Sequence, residues 1–481
     1  MLPLLLLLAL SASAETVDLI RDTSGTPHIF AKTVAGAAFG VGYAQAEDRP
    51  DALLQNLNSA TDPGDLPVSL RPMIEAYVAG VNRSLETQSR PERIRPEQIA
   101  AFARRAYLWI KGSNDLMLSP KRTASGAVIA VLDPIADWNA SDRPYEMSFY
   151  ASDGDLAVSG VAPVGMPFPV VGHNASVAVG WSGTPPGGSE SLEAAWLLIT
   201  ARDLTQAKRA LAMNQIRGQA LIGTARGEIF DTSGAQPTLG YLRRASPSPN
   251  GDADAIEQLR VQQTWSFGRV QGLALSTEIY KAETWQRYLA RVVPEDRFAR
   301  RLSTWNRRVD ADSTDALAFY EFKLALDRDA TALEPPDSLS LARVRVALTR
   351  AKDMLETRLD YNSSWGTLFR ATRDNARRST PISGGNAPEA GMGSPRTLNF
   401  TLPNGSDPRA LHLVTSGQSA TRIVELSRSP SAVSLLLPGE SDQPESPYFD
   451  DQTRLATPKR TFFGDRKELE RTAISRKQLI F

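Results

Sequence analysis

Hydrophobic and polar positions divide this chain into alternating helical and extended stretches. Val17 to Arg21 is a short apolar and β-branched run closed by the turn Thr23-Ser24-Gly25-Thr26-Pro27, and it predicts an opening strand. Ala35 to Ala46 consists mainly of small residues, which suits a closely packed helix ending near Glu47-Asp48-Arg49. Met73, Ile74, Tyr77, Val78 and Val81 recur at helical spacing, and residues 98–110 repeat that pattern. The first hundred residues therefore read as mostly helical. At Gly112 the grammar changes. Residues 127–132, 156–164 and 170–180 are apolar runs bounded by Gly, Pro and Asn, as strands are. Residues 192–216 and 282–326 return to helical spacing, and 339–360 predicts a long amphipathic helix through Val344, Leu348 and Leu355. Strands and loops dominate 361–452, where 371–397, rich in Arg, Gly, Ser and Pro, reads as a long surface loop. Helices, then sheets, then helices again predict a layered α+β architecture.

Two further segments set boundaries. Leu2 to Leu10 is apolar and Ala12-Ser13-Ala14 is a small-x-small site, so residues 1–14 read as a secretory leader directing a periplasmic or secreted protein. The remainder divides at Gly112 into a mostly helical 15–112 and a strand-rich 113–481. No later run reaches membrane-spanning length without charges, so no membrane contact is expected after the leader.

Composition narrows the chemistry. The 54 Lys+Arg balance 54 Asp+Glu, which provides no clustered field for nucleic acid. With no cysteine, disulfides, thiolate metal sites and a cysteine nucleophile are excluded. The three histidines, His28, His173 and His412, are scattered and form no paired metal motif. A Ser-His-Asp triad would have to recruit one of them, and no G-x-S-x-G elbow, P-loop or G-x-G-x-x-G is present. What remains is oxygen nucleophiles, carboxylates, amides or a freed amine.

Gly112-Ser113-Asn114 lies where the helical start meets the first strands. By itself the tripeptide reads as a Gly-Ser turn. Attack of Ser113 Oγ on the preceding carbonyl would instead free a chain whose α-amine, of pKa about 7.7–8.0, is a base beside its own hydroxyl.

The context of this tripeptide resembles the penicillin acylase and acyl-homoserine lactone acylase family of N-terminal-nucleophile hydrolases. Ser119-Pro120-Lys121-Arg122-Thr123-Ala124-Ser125-Gly126 and Leu132-Asp133-Pro134 follow it as in the family's nucleophile region. Upstream, Ile20-Arg21-Asp22, Pro27-His28-Ile29, residues 42–49 (GYAQAEDR) and residues 77–82 (YVAGVN) are similar to earlier blocks. Downstream, Tyr145-Glu146, Gly172-His173-Asn174, Trp305 to Ser313 and residues 441–452 (SDQPESPYFDDQ) keep family order. The resemblance implies an αββα fold: two stacked antiparallel sheets between helical layers. It also implies a precursor that cuts itself between Gly112 and Ser113 into two associated fragments, and a self-processing serine amidohydrolase acting on an acylated small molecule, penicillin-like or homoserine-lactone-like. Ser113 would be nucleophile and its α-amine the base, with backbone N–H groups of Ser182 or Gly183 in the oxyanion hole.

Two family positions are substituted. A family histidine after Asp133-Pro134 is Ile135 here, and the position aligned with the oxyanion asparagine is Glu278, whose ionised carboxylate cannot donate. Gln219 and Asn214 are alternative amides. A degenerate member that binds acyl ligands or a partner without turnover is therefore the second reading. No cofactor is required, and the resemblance leaves room for one calcium, with Glu190 and Glu193 the nearest carboxylates. His173 and Asn174 read as turn residues, Asp450-Asp451 as anchors of element ends, and Arg21 with Asp22 as a structural pair.

Overall fold

The computed structural model describes residues 14–59, 66–182, 191–213, 219–237, 239–243, 249–373, 378–401, 407–455, 459–461 and 465–481. The apolar run from Leu2 to Leu10 lies outside them.

Three sheets dominate. The nine-stranded sheet joins Ile229–Asp231, Gln219–Thr224, Val177–Ser182, Val171–His173, Leu156–Pro163, Pro144–Ala151, Pro27–Ala31, Thr16–Arg21 and Ser475–Ile480, in that spatial order. Both ends of the chain meet at its edge, where Thr16–Arg21 pairs antiparallel with Ser475–Ile480. Segment 15–112 thus supplies strands inside a sheet otherwise built from 113–481. The two segments form one interlocked unit.

The two six-stranded sheets are halves of one bent layer. Leu116–Leu118, Val128–Leu132 and Ala420–Leu426 lie side by side in one half. Their chain continuations Gly112–Ser113, Pro134–Asp137 and His412–Gln418 lie side by side in the other. The bend runs through Asn114-Asp115, Asp133 and Ser419.

Alternation along these strands decides what each face covers. Met117, Val128, Ala130 and Leu132 join the core shared with the nine-stranded sheet. Leu116, Leu118, Ile129 and Val131 pack instead on Leu259, Trp265, Val270 and Leu273, carried by helices Pro249–Val261 and Phe267–Ala274 and the turn between them. Helix Val34–Asp48 covers the far side of the nine-stranded sheet, and Arg71–Thr87 packs on that helix. Helix, sheet, sheet and helix layers result, as the αββα expectation requires. Gly42 and Gly80 let the two outer helices touch: a Cβ on Gly80 would come 1.9 Å from the Phe39 carbonyl oxygen. Residues 282–357 form a separate helical core around Trp285, Phe319, Phe322 and Leu348.

One segment departs from its sequence reading. Residues 378–397 are no surface loop: they include strand Arg378–Pro381 and the fully buried Ser394, Arg396 and Thr397. Charge and small residues suggested solvent, but backbone hydrogen bonds to Ser276, Gly385 and Gln418 hold residues 396–397 inside the protein.

Candidate functional site

The site is built at the bend of the second layer. Gly112 pairs with Ile135, and Ser113 with Pro134, in a two-residue antiparallel ladder. Directly after it the chain turns, and Asp133 holds the turn. Its Oδ2 accepts from Asn114 Nδ2 at 2.7 Å and Gln418 Nε2 at 2.6 Å, and its Oδ1 from Thr421 Oγ1 at 2.6 Å. The Asp133 N–H donates to Asp115 Oδ1 at 2.7 Å, and the Asn114 N–H to the Asp133 carbonyl at 3.0 Å. Burial pushes the Asp133 carboxyl up, while the donors from Thr421, Asn114 and Gln418 pull it back. Every residue of this knot is buried, so the ladder ending in Ser113 starts from a fixed base.

Ser113 itself is 2% exposed, and its Oγ has no hydrogen-bond partner. An orphaned buried hydroxyl costs free energy and calls for an explanation. Asn114, Leu116 and Val131 line the face toward the helix Phe267–Ala274, which leaves Asp115 on the opposite face. Gly180 in strand Val177–Ser182 confirms that direction: a Cβ there would come 2.4 Å from Asp115 Oδ2. Ser182 is two residues beyond Gly180 on the same face, and Ser113 two residues before Asp115 on its own. The two strands pack against each other, so both serines belong to the seam between the sheets. Ser182 Oγ and Trp181 Nε1 are also buried without partners. The Trp181 ring packs on Tyr107, with centroids 4.5 Å apart. Gly183, Glu190 and Asn214 lie outside the described residues. Gln219 is the exposed ladder partner of Ser182.

The substituted positions are distributed differently. Ile135 is buried against Gly112, its Cδ1 3.9 Å from where a Gly112 Cβ would be. Glu278 receives Arg307 Nε at 2.8 Å and lines a cleft of about 610 Å³ together with Asp254, Glu257, Trp265 and Lys281. Asp254 in that cleft is raised to about 6, chiefly by burial. Glu278 thus has a cationic partner of its own.

Each histidine has a partner outside this seam. His28 faces Asp22 at 3.4 Å, His173 Nε2 faces Arg422 at 3.4 Å, and His412 faces Glu389 at 3.2 Å. Asn174 is a turn residue as read: its Oδ1 accepts from Ser176 and Val177, and its Nδ2 donates to Ile199 and Ala201. Arg21 and Asp22 are both structural but not paired with each other. Arg21 binds Glu47 and Asp48, whereas Asp22 caps its own turn through Ser24 and Thr26. Asp450 accepts from Thr380. Glu193 accepts from Ser69 Oγ, and among the described residues no three His, Asp or Glu side chains gather to hold a metal.

Sequence reasoning marked Ser113 and Asp133-Pro134 but passed over Asp115, Gln418 and Thr421. Gln418 and Thr421 lie on either side of the break between strands His412–Gln418 and Ala420–Leu426, which no local pattern marked.

Comparison with known proteins gives three findings. A family model described as penicillin amidase matches residues 16–55, 90–193 and 244–463, well over half of the chain. Acyl-homoserine lactone acylase PvdQ of Pseudomonas savastanoi pv. phaseolicola is 24% identical over 275 residues, as is the protein of that name from Pseudomonas syringae pv. tomato. Each alignment covers 38% of this chain and 35% of the relative, so the chain spans about a third of the length of the curated relatives it matches. A thermostable penicillin G acylase from Alcaligenes faecalis aligns with TM-score 0.46 and 12% identity, over 77% of this chain and 99% of that one.

Proposed function

Because the chain belongs to the penicillin amidase family, we propose that it is a self-processing serine amidohydrolase with Ser113 as nucleophile. The observation that carries this reading is the Ser113 hydroxyl, buried and without a partner at the end of a strand locked by Asp133. Ser113 Oγ attacks the Gly112 carbonyl, the acyl group shifts from nitrogen to oxygen, and water hydrolyses the ester. The products are a chain ending at Gly112 and one beginning with a free Ser113 amine. That amine then takes the Oγ proton as the oxygen attacks the carbonyl of an acyl amide. The carbonyl π pair moves to oxygen, for which the family resemblance offers a backbone N–H at Ser182 or Gly183. Removing one such donor typically costs about 10²–10³ in rate. The amine leaves with the proton, and water releases the acyl group from Ser113.

The substrate is an acylated small molecule, with penicillins and acyl-homoserine lactones as the first to assay given the names of its relatives. The leader at residues 1–14 supports a periplasmic or secreted site of action. No cofactor takes part in these steps.

N-terminal sequencing and intact mass of the purified protein test the reading. We expect a new terminus at Ser113 in wild type and an uncut junction in Ser113→Ala. A single chain uncut at Gly112-Ser113 in both proteins would refute it. Ile135, an apolar side chain against Gly112, favours the second reading of a binding protein without turnover. Hydrolysis that disappears in Ser113→Ala would exclude that alternative.

A further inference from the structure

Three guanidiniums converge on one carboxylate beside a cleft of about 500 Å³. Asp442 Oδ1 accepts from Arg143 Nε at 3.0 Å, Arg143 Nη2 at 2.6 Å and Arg373 Nη2 at 2.5 Å, and Arg49 Nε lies 3.9 Å away. Other N–H groups of these side chains donate to carbonyls: Arg49 to Glu440 and Pro144, Arg143 to Gly439, and Arg373 to Ser441 and Phe449. Carbonyls satisfy hydrogen bonds but neutralise no charge. Asp450 is the other carboxylate acting on Arg373, and burial raises the Glu440 carboxyl to about 8, which leaves it largely protonated at pH 7. Three cations thus face two anions. Burial, then the like charges of Arg373 and Arg49, pulls Arg143 well down. An excess of one charge in a buried cluster is costly unless a counter-ion completes it.

Arg143, Arg373 and Asp442 line the cleft together with Trp138, Asn139 and Ser141. Trp138 is fully buried, and its Nε1–H has no hydrogen-bond partner. Such a donor calls for an acceptor. The Phe449 ring fixes Arg373, whose guanidinium carbon sits 4.1 Å from the ring centroid. Gln55, on helix Pro50–Asn58, brings segment 15–112 to the same cleft, whose other lining groups belong mostly to 113–481. The cleft is apart from the nucleophile. Ser113 pairs with Pro134, and Trp138 follows four residues later, about 13 Å along an extended chain.

The donor geometry selects among anions. Arg143 turns its Nε–Nη2 edge to Asp442, while Arg373 turns Nη2 there and Nη1 to carbonyls, so neither offers a complete fork to a planar carboxylate. Their charge remains unbalanced. A tetrahedral oxyanion can use that charge and take single hydrogen bonds from donors on separate segments. We propose that this cleft binds a phosphate group, its charge balanced by Arg143 and Arg373 and one oxygen accepting from Trp138 Nε1–H. Bound there, phosphate ties segment 15–112 to 113–481. This inference goes beyond the hydrolase reading and does not depend on Ser113 being reactive.

The test is calorimetric titration of the purified full chain at constant ionic strength. Inorganic phosphate and glycerol 3-phosphate are the probes, with acetate as the control. Wild type should bind at least one phosphate probe tenfold or more tightly than acetate. Arg373→Met should weaken that binding at least tenfold. Trp138→Phe, which keeps an aromatic ring but loses the N–H, should weaken it at least threefold and decides the matter if the methionine variant does not fold. Tighter binding of glycerol 3-phosphate would identify an organic phosphate as the ligand, and tighter inorganic phosphate the free ion; both support the site. Phosphate bound no better than acetate in wild type, or equally well by the folded variants, would overturn it. Ser113→Ala should bind phosphate as wild type does whether or not the Gly112-Ser113 junction is cut, which keeps this result separate from the hydrolase reading.

Discussion

Asn114 Nδ2 donates to Asp133 Oδ2 over 2.7 Å, joining the residue after the proposed nucleophile to the hinge of a bent sheet. The same carboxylate accepts from Gln418 and Thr421, so one side chain aligns three strands. Asp133→Asn would point an NH₂ group at one of these donors. The expected cost is about 1–3 kcal/mol of stability, the penalty of a buried unsatisfied donor. Urea unfolding would measure it, and a variant as stable as wild type would show that the knot is not structural.

Gly180 lies against Asp115 with no space between them. Gly180→Ala places a methyl 2.4 Å from Asp115 Oδ2 and 2.9 Å from its Cγ. Asp115 cannot yield freely, because its Oδ1 accepts the Asp133 N–H. Overpacking of this kind typically costs about 1–3 kcal/mol. The variant should lose stability in thermal unfolding and cut more slowly at Gly112-Ser113. A melting temperature and cutting rate equal to wild type would contradict the packing described.

His173 gives stability a pH dependence of definite sign. Burial, then the neighbouring Arg422 charge, lowers its pKa to about 3 from an ordinary 6.5. Arg422 donates toward Nε2, and Nδ1 faces the Asn174 carbonyl, so the neutral Nδ1–H form fits. Between pH 6.5 and 3 the unfolded chain binds a proton that the folded chain refuses. The contribution is therefore complete above pH 6.5 and is lost as pH falls toward 3, by at most about 1.4 kcal/mol per unit. Urea titrations at pH 7, 6 and 5 should show a shallower decline in His173→Gln than in wild type. Parallel declines would exclude His173 as the source.

Glu278 makes a half-exposed pair with Arg307 on the rim of a separate cleft. Such pairs contribute about 0–1 kcal/mol. Glu278→Gln should leave stability within that range and change acyl-amide hydrolysis less than threefold. A hundredfold gain on substitution would instead mean that this carboxylate faces the developing oxyanion.

Much of the fold was legible from periodicity. Helical spacing marked Arg71–Thr87 and Leu341–Thr357, and apolar runs marked Val128–Leu132 and Leu156–Pro163. Residues 116–118 are uniformly apolar, so nothing local says that Met117 meets a second sheet while Leu118 meets helices. Ser475–Ile480 was missed, since its Arg, Lys and Gln carry little hydrophobic signal and its pairing partner is at the other end of the chain. Arg396 was assigned to a surface loop because charge predicts exposure, and no local pattern announces a buried cation.

By itself the sequence determined most of the elements, the layered class, the absence of cysteine chemistry and Ser113 as the candidate nucleophile. These depend on local periodicity, residue type and short blocks in order. Only the tertiary structure decided what surrounds Ser113. Asp133 meets Gln418 from 285 positions away, and Asn114 meets Thr397 from 283. Contacts at such separation depend on how whole sheets stack and bend, which no local window of residues encodes.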